Sequence, residues 1–133
     1  MTHLLKKSQD NHKSALQLFG NYKYYAPSIH CAYYSCVQLM IHILLTAGKK
    51  TEKQIDVETQ KESSHNYYIR EVSELITKLQ PGKLVEFNKI KELKKFRRSS
   101  DYKDIEITFD DANKATTYSE QINSTLKKVF NIL

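Results

Sequence analysis

The chain has 133 residues, a hydrophobic fraction of 40%, only 3 Gly and 2 Pro, and a net charge of +6. That suits one domain with one core and long helices with little punctuation. It excludes a low-complexity or disordered chain, and the basic balance points toward anionic partners.

The chain opens Met-Thr-His-Leu-Leu-Lys-Lys, without an apolar run of signal-peptide length. A first helix is expected over residues 2–23. Leu4, Leu5, Ser8, His12, Ala15, Leu16 and Phe19 recur at three- and four-residue steps and make one stripe. Pro27 then marks the start of a second helix over residues 27–47, with Gly48 as its C-cap. Ile29, Tyr33, Cys36, Val37, Met40, Ile41, Leu44 and Leu45 cover most of its surface, as in a core helix. Polar groups such as His30, Ser35, Gln38 and His42 interrupt it, so no membrane span is expected. Ser35, Gln38, His42 and Thr46 form a narrow polar stripe that faces solvent, a cleft or a subunit partner. Cys31 and Cys36 point about 140° apart on a helix. The expectation is free thiols in the cytoplasm.

Residues 49–62 read as a polar connection with room for a helical turn. Ser63-Ser64-His65 offers an N-cap for a third helix, carried by Tyr68, Val72, Leu75, Ile76 and Leu79 to the break at Pro81-Gly82. A fourth helix is expected over residues 83–99, with Leu84, Phe87, Ile90, Leu93 and Phe96 stepping by three and Ser99-Ser100 ending it. Between residues 83 and 98 seven Lys and Arg stand against two Glu, and between 101 and 111 five acids stand against one Lys. A basic helix therefore runs into an acidic loop. Ile105 to Phe109 alternates as a short extended segment would. Asp110 or Asp111 then caps a fifth helix that runs to the terminus. The expected fold is all-α, an antiparallel bundle of four to five helices in a single domain.

Chemistry concentrates at Phe96-Arg97-Arg98-Ser99-Ser100-Asp101-Tyr102. Arginine forks suit phosphate, Asp101 can hold a fork in place, and Tyr102 can donate to a phosphate or stack on a base. The same residues can equally end a helix with an ion pair while the phenol packs inward. His65 reads either as a general acid or base or as a capping residue. Nine tyrosines include the pairs Tyr24-Tyr25, Tyr33-Tyr34 and Tyr67-Tyr68. One member of each pair can be buried while the other is presented at an interface. The chain lacks a Gly-rich phosphate loop, Gly-x-Ser-x-Gly, His-Glu-x-x-His and metal-ligand spacings, so no metal or cofactor is expected.

Ala32-Tyr33-Tyr34-Ser35 in the second helix, Ser64-His65 opening the third and Arg98-Ser99-Ser100-Asp101-Tyr102 closing the fourth resemble the HEPN domain family. The likeness is to its small stand-alone prokaryotic branch, and it spans about residues 4 to 130. Ser100 stands where that branch's Arg-x-x-Ala-Asp-Tyr motif has Ala. The resemblance implies a helical bundle, a homodimer, and a nucleotidyltransferase-type partner in a toxin–antitoxin pair. It also implies RNA or nucleotide contact, for which Arg97, Arg98, Asp101 and Tyr102 are the expected ligand-binding set; the tyrosine pair and the polar stripe of the second helix make Tyr33, Tyr34, Gln38 and His42 the expected interface residues. Active members are metal-independent endoribonucleases with an Arg-x4-6-His motif. Here the arginines are Arg70, Arg97 and Arg98, and no His follows His65. That departure argues for a binding or regulatory module. The alternatives are an endoribonuclease toxin using Arg98, Tyr102 and His65, and a purely structural interaction domain.

Overall fold

The computed structural model describes residues 2–133, and among them every regular element is helical. Five long helices form the bundle: α1 (His3–Gly20), α2 (Tyr25–Leu45), α4 (Ser64–Leu79), α6 (Lys89–Tyr102) and α7 (Phe109–Val129). Two short ones, α3 (Glu52–Thr59) and α5 (Leu84–Phe87), sit in the connections, α5 preceded by a 3-10 turn over Pro81–Lys83.

Helix α2 is the hub. It packs against α1, α4, α6 and α7, because twelve of its residues are buried and they lie on nearly every side. Ile29, Tyr33, Leu39, Met40, Ile43 and Leu44 are wholly excluded from solvent. Covering one such side chain contributes roughly 1.5–3 kcal/mol. A seam of small residues lets α1 and α7 approach closely. Ser28 Oγ donates to Ala15 O at 2.9 Å, Ser8 Oγ to Ser35 O at 2.6 Å, and Ser119 Oγ to Ala32 O at 3.1 Å. Asn123 Nδ2 donates to Ser35 Oγ at 3.1 Å. Ser35 therefore faces α1 and α7, while Thr46 at the far end of the stripe is exposed and bonds to His42 O of its own helix. Gln38 Oε1 accepts from Asn11 Nδ2 at 2.8 Å, and His42 Nδ1 meets Thr2 Oγ1 at 2.6 Å. These partners lie within the same chain.

By length and mean hydropathy (1.3) α2 matches a membrane span, yet 67% of that stretch is buried inside the bundle. Both cysteines are free. Burial pushes the Cys36 thiol up to about 12, which keeps it protonated.

Several boundaries differ from the sequence reading. Helix α2 starts at Tyr25, two residues before Pro27; a proline in the first turn removes an N–H that has no intrahelical partner there. Beyond α2 the left-handed residue is Lys49 (φ 53°), and Gly48 instead lies against Leu44. The 49–62 connection contains a full helix, α3, opened by a Thr51–Gln54 capping box and anchored by buried Ile55. In α4 the inward face carries Tyr67, Ile69, Val72 and Ile76, while Leu79 is exposed.

The expected fourth helix is broken at Asn88. A step of three falls about 60° short of a turn, so Leu84 to Phe96 cannot share one side of a straight α-helix. The 3-10 turn and the break reset the face. At its other end α6 runs past Ser99 to Tyr102, because Ser100 Oγ donates to Ala26 O at 3.1 Å and Asp101 reaches His30. Residues 105–107 form no strand, lacking a neighbour to pair with. The cap of α7 is Thr108, with Asp111 completing a capping box, and α7 ends at Val129.

Two glycine substitutions should move stability in opposite directions. A Cβ at Gly48 would stand 2.8 Å from Leu44 O, so Gly48→Ala is expected to lower stability by about 1–2 kcal/mol. Gly20, helical and open to solvent, meets nothing within 4 Å, so Gly20→Ala is expected to raise stability by up to about 1 kcal/mol. Urea denaturation midpoints of the two variants check both signs.

Candidate functional site

Arg97 and Arg98 are adjacent in sequence, and the helix turns them about 100° apart. Arg97 points inward onto α2 and is 7% exposed. Its guanidinium carbon lies 5.0 Å from the Tyr33 ring centre, 5.7 Å from Tyr34 and 5.8 Å from Tyr102. Three electron-rich faces thus surround a buried cation. Asp101, one turn on, offers a carboxylate oxygen 3.7 Å from Arg97 Nη1, and the same oxygen meets His30 Nδ1 at 2.9 Å. Arg97 Nε has no hydrogen-bond partner.

His65 joins this cluster from the start of α4, where Ser63 Oγ caps the helix on Asn66 N at 3.5 Å. Its Nδ1 shares a 2.7 Å hydrogen bond with Tyr33 Oη. Burial pushes the Tyr33 phenol up, so it stays protonated. Burial, then the charges of Arg97 and Lys94, hold His65 below its ordinary value. The imidazole is therefore neutral near pH 7, with Nε2 as its other nitrogen. The His30 and Tyr34 rings, one helical turn apart, lie 4.7 Å from each other at a 40° tilt, and Tyr34 meets His65 edge-on at 5.9 Å.

Arg98 faces elsewhere, into a groove of about 780 Å³ between α4 and α6. Both helices pack on α2 and make little contact with each other. Arg70 and Lys78 line the groove from α4, and Lys91, Lys94, Lys95 and Arg98 from α6, against one carboxylate, Glu74. Ile69 supplies apolar surface between the walls. Lys94 Nζ donates to Asn66 Oδ1 across the gap at 2.6 Å. Burial, and after it the neighbouring charges of Arg98 and Arg97, lower the Lys94 pKa. Arg70 is already paired with Glu62 and lies 3.7 Å from Glu71.

The structure thus brings together His65, Tyr33, Tyr34, Arg97, Asp101 and Tyr102 in one cluster, and puts Arg98 beside it in the groove. Gln38 and His42 belong to the α1 seam and lie outside both. His30 and the α4 cations were missed from sequence. The four-residue step from His30 to Tyr34 was a visible signal for the first; the second needed the packing of α4 against α2. Among the described residues no group of three or more His, Cys, Asp or Glu is placed to hold a metal ion. The chain matches no protein-family model, no curated protein and no solved structure.

Arg97→Ala is expected to lower stability by about 2 kcal/mol or more, since it removes a buried side chain under three rings and leaves Asp101 facing an empty site. Arg98→Ala is expected to change stability by less than about 0.5 kcal/mol. Thermal melts of the two variants separate the roles of the neighbouring arginines.

Acid should also weaken the fold. His12, His42 and His65 are each held below 6.5, burial being the first cause every time. The unfolded chain then binds more protons than the folded one below that pH. Stability from these groups is full above about pH 6.5 and is lost as pH falls through the lowered folded values. Denaturation midpoints followed from pH 7.5 to 4.5 should show the decline, and His65→Gln should remove part of it.

Proposed function

We propose that this chain is a HEPN-like helical binding module that holds an RNA strand or nucleotide in the groove between α4 and α6. The observation that carries the reading is the groove itself, with six cations and one carboxylate on its two walls. Spaced cations on two walls suit consecutive phosphates, and Arg98 can offer its fork to one of them. His65 adjoins Asn66 and Tyr102 lies one turn beyond Arg98; Asn66 and Arg98 both line the groove, and the rings of His65 and Tyr102 give a base a surface to stack on. Tyr102 is 77% exposed and free to take that role. On this reading Arg97 is a positioning residue: it holds Tyr33, Tyr34 and Tyr102 in place, and contacts no ligand. The resemblance in sequence adds a nucleotidyltransferase-type partner and a homodimer to the proposal.

A second reading, a metal-independent endoribonuclease, is favoured by one observation. The fold assembles from two helices a neutral His65 and a nearby Arg97, which no local sequence motif contains. A neutral imidazole is suited to take a proton from an RNA 2′-hydroxyl. Cleavage of RNA by purified protein, lost in His65→Ala, would move the assignment to this reading.

The binding test uses a labelled single-stranded oligoribonucleotide and fluorescence anisotropy over a salt series. Arg98→Ala and Lys94→Ala are each expected to weaken binding about tenfold, equivalent to ~1.4 kcal/mol. Each lost phosphate contact should flatten the plot of log affinity against log salt by about 0.7. Equal affinity of both variants and wild type for the oligonucleotide would falsify the groove as the site.

A further inference from the structure

The acidic loop that follows Tyr102 supplies no lining residue to the groove, and it lies at one end of the bundle beside an unusual surface. Phe109 opens α7 with its ring 5.1 Å from Phe19 and edge-on to Tyr25 at 6.1 Å. Ser100 ties the end of α6 to the start of α2 through Ala26. These contacts set the loop of residues 103–108 beside the turn between α1 and α2, where the Tyr22 and Tyr24 rings stack at 5.8 Å. Four large side chains stay open to solvent at this end: Tyr22 at 60%, Tyr24 at 58%, Ile105 at 55% and Phe109 at 53%. Single exposed apolar residues are ordinary, but several gathered at one end of a small domain mark a surface that is covered in use. Tyrosine adds rigid contact area with a polar tip, the composition of a protein-binding patch.

Charge selects the partner. The chain as a whole carries +6, yet residues 101–111 hold five carboxylates against Lys103, with Lys23 on the adjoining turn. Asp101 is engaged by His30, and Asp111 closes the α7 capping box. Asp104, Glu106 and Asp110 are exposed and make no ion pair within the chain, among the described residues. An anionic rim around an apolar centre repels nucleic acid and attracts cations, and it steers a basic segment into register.

We propose that this end of the bundle is a docking surface for a basic amphipathic segment of a partner protein. Its aliphatic side chains would cover Tyr22, Tyr24, Ile105 and Phe109, and its lysines or arginines would meet Asp104, Glu106 and Asp110. The inference stands apart from the groove, which is lined by α4 and α6, shares no lining residue with this patch and carries the opposite charge.

The test titrates the ¹⁵N-labelled full chain with a synthetic amphipathic leucine–lysine helical peptide. A control peptide carries glutamate in place of lysine. The expected result is saturable binding of the lysine peptide alone, with amide shifts centred on Tyr22, Tyr24 and residues 104–110. Ile105→Ser is expected to weaken it about tenfold, and the double variant Asp104→Lys with Glu106→Lys to abolish it. Both variants should keep the circular dichroism spectrum of the wild type, and Ile105→Ser its oligoribonucleotide affinity. Absence of binding, equal binding of the glutamate peptide, or shifts centred on the α4–α6 groove overturns the proposal. So does sedimentation showing a dimer of the free chain that Ile105→Ser dissociates, because a second copy would then cover this end.

Discussion

The structure depends on a helix that has no side to spare for water. Helix α2 buries residues around most of its circumference, so its stability requires neighbours on every side. The four helices that pack on it supply them. Where α1 and α7 approach, side chains must be small and their polar groups answered. Ser28, Ala32 and Ser35 meet both needs, with hydroxyls and carbonyls bonded across the seam. A larger residue at any of these positions would push a helix away and uncover apolar surface elsewhere on α2.

The same constraint creates the groove. Helices α4 and α6 each follow α2, and two cylinders resting on a third diverge above their contact line. The walls of that gap are largely open to solvent, so they can carry Lys and Arg at little cost in burial, Lys94 being the one partly buried. At the end of the gap the geometry closes in, and Arg97 is driven under the rings of Tyr33, Tyr34 and Tyr102. A buried guanidinium is costly unless compensated. Here the compensation is three ring faces and a carboxylate at 3.7 Å, with Nε left unpaired. Loss of water, reinforced by the positive field of Arg97, opposes a charge on His65, while loss of water outweighs that same field to keep the Tyr33 phenol protonated.

The two ends of α6 illustrate how local signals and packing divide the outcome. Steps of three from Leu84 to Phe96 were legible, and so was their apolar role; the break at Asn88 was the geometric consequence of that spacing. Ser99 and Ser100 are poor helix formers, and by propensity the helix stops there. Tertiary bonds from Ser100 to Ala26 and from Asp101 to His30 carry it one turn further. The Arg97–Arg98 pair was legible as a site of chemistry, but the neighbours look equivalent in a string. Only burial distinguishes a cation that holds rings in place from one that faces a groove.

Composition, apolar periodicity and capping residues by themselves determined an all-helical chain, the centrality of α2, the break at Pro81-Gly82, and the basic-to-acidic switch near residue 100. These are properties of each segment and its nearest neighbours in the chain, where 3.6-residue spacing and local hydrogen bonds dominate. Tertiary structure alone decided that Ser35, in the polar stripe of α2, faces α1 and α7. It alone decided that His65 meets Tyr33 across 32 residues, and that cations from α4 and α6 line one groove. Those outcomes depend on which faces meet when α2 is covered on all sides, and no single helix contains that information.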